Sequence, residues 1–327
     1  MSKLKLGIIG SGWIAEKMAI TIAGMPEVEA YAIASRELSK AQAFAKSWNF
    51  TCAYGSYEDM LNDEEVELVY IATPHSHHYD HIRMCLLKGK PVLCEKAFTA
   101  TAWQAEEILH LAKEKNIFVA EAIWTRYMPL SHTINELLNS GIIGEPKILS
   151  ANLGYPVWQK ERMLRPELAG GALLDLGVYP INFALMAFGT DIKEITSTCV
   201  KIDTGMDAQE SMTFVYNDGR MAVLHSSMLA KTDRQGVISG TKGHLIVENC
   251  NNPQQIKVVD NDYQVIAQYD APQQITGYEY QVYACIEALK NGWVETPYMP
   301  HAETLRVMHL MDNLRKEWGV KYPWDKW

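Results

Sequence analysis

Six short apolar runs separated by helical stretches fill the first 120 or so residues, and this alternation constrains the fold more than any other feature. The runs are Leu4–Ile9, Val28–Ala34, "TCAY" at 51–54, Glu67–Ala72, Pro91–Cys94 and Phe118–Glu121. Between them lie helical stretches at Trp13–Gly24, Gln42–Trp48, "YEDMLND", His77–Lys88 and Ala102–Lys115. Strands alternating with helices of this length form βαβ units around a parallel sheet. Beyond residue 123 the pattern changes. Helical stretches near 128–140 and 171–188 bracket a strand at Lys147–Leu153. Strands then follow in series at Lys193–Asp203, Glu210–Tyr216, Arg220–Ser226, Arg234–Ser239, Gly243–Glu248, Gln255–Asp260 and Gln264–Tyr269. Tight-turn signals such as "YNDGR" join them, and helices near 276–291 and 301–318 close the chain. The expected fold class is α/β: a doubly wound parallel sheet in residues 1–123, then an α+β domain in 124–327 with an open-faced, mostly antiparallel sheet.

The stretch "GIIGSGWIA" places Gly10, Gly12 and Ala15 in a G-x-G-x-x-A pattern between a strand and a helix. The first glycine permits the tight turn and the second lets backbone approach a pyrophosphate. The small third residue allows close helix packing. Free N–H groups at the helix start, around Trp13 and Ile14, would meet the phosphates. This predicts a Rossmann dinucleotide site. At the end of the second strand, where an acid would bind the ribose hydroxyl of NAD, the chain has Ser35 and Arg36. A hydroxyl and a guanidinium suit a 2′-phosphate, so NADP is expected in preference to NAD. Glu37, one position later, is the competing NAD reading.

"ATPHSHHYDH" crowds His75, His77, His78 and His81, but no cysteine lies near and Asp80 is the only close carboxylate. No metal is expected there. "DNDYQVIAQYD" lacks the glycine and spacing of a calcium loop. A net charge of −9 argues against a nucleic-acid partner. "GGALLDLGVYPINFALMAFG" is interrupted by Asp175, Pro180 and Asn182, which suits a buried helix better than a membrane span. "MSKLKLGIIG" enters a strand at once, and the six cysteines show no C-x-x-C spacing. A cytoplasmic protein without a membrane partner is expected.

"GIIGSGWIA", "ATPHSHHYDH", "GKPVLCEKAFT", "AEAIWTRYMP" and "GGALLDLGVYP" occur in the order and spacing of the Gfo/Idh/MocA oxidoreductases. The chain resembles that family over nearly its whole length, most closely its dimeric dihydrodiol and D-xylose dehydrogenase branch. The resemblance implies reversible hydride transfer between NAD(P) and a carbohydrate or cyclic diol. It also implies an oligomer interface on the open sheet face. It further implies that Lys96 lies beside the nicotinamide ribose and the reacting oxygen, with Glu95 its acidic neighbour. Thr73, Pro74, His75 and His78 would run along the cofactor, with Trp124 and Arg126 near the nicotinamide. Asp175 and Tyr179 match the family's Asp-x-x-x-His/Tyr pair. Ala97 stands where proline is usual.

Hydride leaves a carbinol carbon only as its hydroxyl proton departs, so a base must reach that oxygen. Tyrosine is a poor base at neutral pH unless a neighbouring ammonium favours its phenolate. The expected catalytic set is therefore Lys96, Tyr179 and Asp175, the last one helical turn before the tyrosine. Tyr155, Trp158, Arg162 and Arg165 precede that turn and are candidates for a pocket taking a small hydroxylated molecule. Two other readings compete: a dinucleotide-binding regulator without turnover, and a one-directional carbonyl or biliverdin-type reductase. A homodimer is expected through the C-terminal sheet, with Met212, Phe214, Met221, Val223 and Met228 as its apolar face.

Overall fold

A computed structural model of the protein describes residues 3–327. These form two compact units. One comprises the chain up to Ile123 together with Gln274–Met308; the other comprises Trp124–Gln273 and His309–Trp327.

The first unit is built on six strands: β1 (Leu4–Ile9), β2 (Val28–Ala34), β3 (Cys52–Tyr54), β4 (Leu68–Ile71), β5 (Val92–Glu95) and β6 (Val119–Ala122). Their order is β3-β2-β1-β4-β5-β6, and every neighbouring pair is parallel. The order reverses between β1 and β4, the point at which open α/β sheets bind ligands. The connections carry α1 (Trp13–Ala23), α2 (Leu38–Trp48), α3 (Tyr57–Leu61), α4 (His75–Leu87) and α5 (Ala102–Lys115). β4, β5 and β6 are buried at every position, hence their largely apolar character, broken only by buried Glu95 and Glu121.

Assigning all of 124–327 to a second domain differs from this arrangement. Helix α9 (Glu279–Asn291) packs Val282, Cys285 and Ala288 into the same core as Leu6, Ile8 and Ile33. The three side chains recur every third residue and so share one helical stripe. Buried Glu279 accepts N–H bonds from Ile275 (2.6 Å), Thr276 (3.1 Å) and Gly277 (2.7 Å), which closes the turn entering the helix. The Val119 N–H donates to the Val294 carbonyl at 3.0 Å, so the returning chain satisfies β6 as well.

The second unit holds an eight-stranded sheet. Its strands are β7 (Pro146–Gly154), β8 (Ile192–Lys201), β9 (Asp207–Tyr216), β10 (Met221–Ser227), β11 (Gly236–Gly240), β12 (Gly243–Val247), β13 (Gln255–Asp260) and β14 (Val265–Asp270). The order is β14-β13-β12-β11-β7-β10-β9-β8, antiparallel except between β7 and β10. Helices α6 (Pro129–Ser140), α7 (Glu161–Leu164), α8 (Val178–Phe188) and α10 (His301–Trp318) complete the chain.

The expected apolar outer face needs correction. Phe214 pairs with Ala222 and Met212 with Leu224, and all four are buried, as is Met228. Met221 pairs instead with Val215, and Val223 with Thr213, on the opposite face. Directly paired residues point the same way, so only Met221 and Val223 of the five belong to the open side.

The stretch Pro166–Phe188 is long and apolar enough to cross a membrane, yet 89% of its apolar window is buried in the fold. It is not one α-helix over 171–188. Leu173–Gly177 winds as a π-turn, with the Val178 N–H reaching back five residues to the Leu173 carbonyl. Pro180 gives the reason. It has no N–H to offer Leu176, and its ring would clash with that carbonyl in a regular helix.

Candidate functional site

In the first unit the expected residues gather at the C-terminal ends of the parallel strands. Gly10 follows β1 with φ +98°, and a Cβ there would lie 2.9 Å from the Ala72 carbonyl oxygen. A side chain is excluded both by conformation and by the loop after β4. Gly12, by contrast, faces nothing within 4 Å, so backbone stands open in front of α1. No side chain caps that helix, leaving its first N–H groups available to an anion. Ala15 is fully buried, whereas Trp13 is 64% exposed with the Lys17 ammonium over its ring. These residues fit a dinucleotide pyrophosphate.

At the end of β2, Ser35 is buried and Arg36 exposed, and Ser11 Oγ donates to Ser35 Oγ at 3.5 Å. Glu37, the rival for a ribose hydroxyl, is paired with Lys40 at 2.7 Å on the outer surface. The Arg36 charge, after burial, helps lower the His77 pKa and opposes the burial that raises Tyr57. The guanidinium, exposed at the strand end, suits a phosphate.

The histidine segment is held by protein partners. His78 is fully buried, with Nδ1 2.9 Å from the Ala97 carbonyl and Nε2 2.8 Å from that of Thr73. Burial pushes its pKa down to about 4, against the two carbonyls, so the ring is neutral at physiological pH. The neutral ring has one N–H and donates to only one of these carbonyls; it lies between the loops after β4 and β5 with both ring nitrogens facing protein. His81 Nδ1 lies 3.0 Å from Thr73 Oγ1, and burial pushes this ring down to about 3. His75 is buried at the start of α4, edge-on to His78. Among the described residues, no three His, Cys, Asp or Glu side chains are grouped to hold a metal ion. Pro74 is the N-cap residue of α4.

Glu95 ends β5 buried rather than solvated, and the Tyr70 hydroxyl donates to its Oε1. That tyrosine's pKa is raised well above its usual value by burial and by the adjoining carboxylate, so it stays a donor. Lys96 follows, half-buried, and the Lys96–Ala97 peptide bond is cis.

In the second unit, Trp124 and Arg126 lie on the 3-10 turn Trp124–Tyr127, both buried. Arg126 Nε donates to Asn182 Oδ1 at 2.6 Å, and Asn182 Nδ2 donates to the Val178 carbonyl at 2.8 Å. Arg126 therefore ties its turn to the helix bearing Tyr179. Asp175 is buried in the π-turn and meets Arg162 Nη2 at 3.0 Å. Tyr179 is buried one turn later. Of the other pocket candidates, the Tyr155 hydroxyl accepts from Arg234 Nη1 at 3.1 Å, and Trp158 is 45% exposed. Arg165 is occupied by exposed Glu161 (2.7 Å) and Glu167 (3.6 Å) and is a surface residue. Sequence reasoning missed Arg234, Tyr70, Asn182 and Asp207. None sits in a recognisable spacing; apart from the bond of Asn182 to Val178 one turn back, each acquires its partner through tertiary structure.

Residues 4–122 match the oxidoreductase family model described as an NAD-binding Rossmann fold, and 131–246 match the GFO/IDH/MocA C-terminal domain. Trans-1,2-dihydrobenzene-1,2-diol dehydrogenase of Xenopus tropicalis is 34% identical over 331 residues, covering 98% of this chain and 99% of that protein. The Homo sapiens enzyme of the same name is 31% identical, covering 99% of both. Among solved structures, KijD10, a 3-ketoreductase from Actinomadura kijaniata in complex with NADP and TDP-benzene, superposes with a TM-score of 0.87. It is 26% identical and covers 96% of this chain and 98% of its own. Levoglucosan dehydrogenase in complex with NADH and levoglucosan matches at TM-score 0.87 and 16% identity, over 97% and 98% of the chains, a likeness of fold.

Proposed function

We infer the reaction from one premise: the chain belongs to the Gfo/Idh/MocA family of oxidoreductases. It is an NAD(P)-dependent dehydrogenase or reductase acting on a small molecule, which sets aside the regulator without turnover. The proposed substrate is a cyclic vicinal diol or a sugar, oxidised at a carbinol carbon or formed from its carbonyl. The relatives' names support this substrate class. The arrangement of Gly12 before an uncapped helix, with Ser35 and Arg36 at the next strand end, supports NADP as the preferred cofactor.

When bound, the nicotinamide accepts a hydride or gives one back. The chain's own residues handle the proton. In the proposed oxidation Tyr179 takes it from the substrate hydroxyl, and the Lys96 ammonium favours the phenolate that does so. Asp175, held by Arg162, orients a second substrate hydroxyl as an acceptor. Trp158 and Tyr155 supply apolar faces for the ring. Glu95 and His78 keep the strand ends beside Lys96 in place. A turnover screen over cyclic diols, aldoses and inositols with NADP⁺ and NAD⁺, read at the reduced-nicotinamide absorbance, tests the reaction. Turnover only of dicarbonyls with NADPH would favour the one-directional reductase instead.

Arg36→Ala should weaken NADP(H) binding by about 1–3 kcal/mol, the scale of a lost charged hydrogen bond, and spare NAD(H). Equal losses for both cofactors, measured by fluorescence titration, would remove Arg36 from the 2′-phosphate site.

The reading also includes a homodimer through the open face of the eight-stranded sheet. Exposed Ile148 and Val223, with half-buried Val215 and Met221 beside them, give that face an apolar centre. Sedimentation at micromolar concentration should show a dimer, and Val223→Lys should shift it toward monomer. A wild-type monomer would end the idea. A cytoplasmic location belongs to the same reading, in keeping with six cysteines all present as free thiols.

A further inference from the structure

Strand β9 carries two carboxyl groups that the reaction described above does not use. Asp207 is fully buried and Glu210 is 4% exposed. Three residues apart in a regular strand, they would point to opposite faces. The ladder between β8 and β9 shifts register here: Val200 pairs with Gln209 but Lys201 with Asp207, leaving one extra residue on β9. This bulge reverses the alternation and brings both acids to the covered face.

There they meet the segment that carries Asp175. Asp207 Oδ2 accepts the Leu173 N–H at 2.5 Å, where the π-turn begins. Its Oδ1 has no hydrogen-bond partner among the described residues. It lies 2.1 Å from where a Cβ of Gly171 would stand. Gly171 has φ +104°. At the other end of the π-turn, a Cβ on Gly177 would stand 2.7 Å from Glu210 Oε1. The Ser226 hydroxyl on β10 donates to that same oxygen. The two glycines thus leave room for two carboxyl groups, one at each end of the turn. Asp175 lies between them and Tyr179 two residues beyond.

We propose that Asp207 and Glu210 are positioning residues that fix the 171–177 segment from beneath, and so set where Asp175 and Tyr179 stand. This rests on the roles proposed for those two residues. The acids divide the work. Asp207 receives a helix-start N–H, which favours its anion against the burial that raises its pKa. Burial and the Asp207 charge raise Glu210 well above the usual carboxyl range, and its carboxyl fills the space under Gly177.

The test uses the full-length enzyme with NADPH and a diol or sugar that it turns over. Asp207→Asn should lower kcat ~10–100-fold, the scale of a small misplacement of reacting groups. The NADPH dissociation constant should stay within about threefold of wild type, while amide hydrogen exchange over 173–179 accelerates. Glu210→Gln, which keeps the bulk beneath Gly177, should keep kcat within about threefold; a loss as deep as that of Asp207→Asn would overturn the space-filling role of Glu210. Should Asp207→Asn fail to fold, Gly177→Ala decides. Its Cβ should cost kcat likewise, and adding Glu210→Ala should return ~10-fold of the loss by vacating the space. Either Asp207→Asn or Gly177→Ala binding NADPH normally and turning over at the wild-type rate would overturn the proposal. Tyr179→Phe, assayed beside them, keeps the two readings apart. If it stays fully active, the tyrosine's role fails, and hydrogen exchange at Leu173 still judges whether Asp207 holds the turn.

Discussion

Tyr179→Phe should reduce turnover ~10²–10⁴-fold, the usual loss when a general base is removed. The residue is buried, and the change deletes one oxygen while keeping the ring that packs around it. NADPH binding, followed by tryptophan fluorescence, should therefore change little. Lys96→Met should abolish turnover as well, and in any residual activity the basic limb should move to higher pH. The sign follows from electrostatics: a cation beside a phenolate lowers its pKa, so removing the cation raises it. The double variant should be little worse than either single one, because in the proposed reaction both changes disable the same proton transfer. A Tyr179→Phe enzyme with near-wild-type kcat on its true substrate would leave Lys96 or a histidine as the base.

Arg315→Met should destabilise the protein by about 3–5 kcal/mol, the cost of stranding a buried charge by deleting its partner. Arg315 is fully buried. Its Nη1 and Nη2 reach the two Asp325 carboxylate oxygens at 3.0 and 2.8 Å, and Nη2 also reaches Asp312 at 2.6 Å. The guanidinium lies 4.0 Å from the centre of the Tyr322 ring, and Tyr322 donates to the Gly170 carbonyl at 2.5 Å. Without the arginine, Asp325 keeps its burial and loses its counter-charge. Urea unfolding should show a lower midpoint with an unchanged slope. Replacing Arg315, Asp312 and Asp325 together by apolar residues should recover much of the loss, since the two carboxylates bonded to the arginine leave with it. A midpoint unmoved by Arg315→Met alone would show the cluster to be solvated in solution.

The first unit was legible because its signals are local. A glycine pattern between strand and helix and apolar runs with regular spacing are both written within a few residues. β1, β2 and α5 match their expected bounds at one or both ends for that reason. What the sequence left hidden depends on register. Met212 and Met221 looked alike, but the turn at 217–220 sets which residues of β9 and β10 pair, and so which face each methionine takes. Asp207 fell outside the expected strand, and the bulge that turns it inward has no spacing signature. His78 and Arg126 stood in recognised motifs, yet their partners are the carbonyls of Ala97 and Thr73 and the amide of Asn182. A motif names the residue; only packing names what it holds.

The return of Gln274–Met308 to the first unit bears on how the chain is made. A ribosome finishes β6 some 150 residues before it releases the helix that covers Leu6, Ile8 and Ile33. At 5–20 residues per second that interval is roughly 8–30 s. Throughout it the nascent unit lacks the share of that core which Val282, Cys285 and Ala288 supply. Translation, rather than the search for the fold, then sets when the nucleotide-binding half becomes complete. A chain stopped after residue 273 would lack that cover and should be drawn into aggregates or held by chaperones.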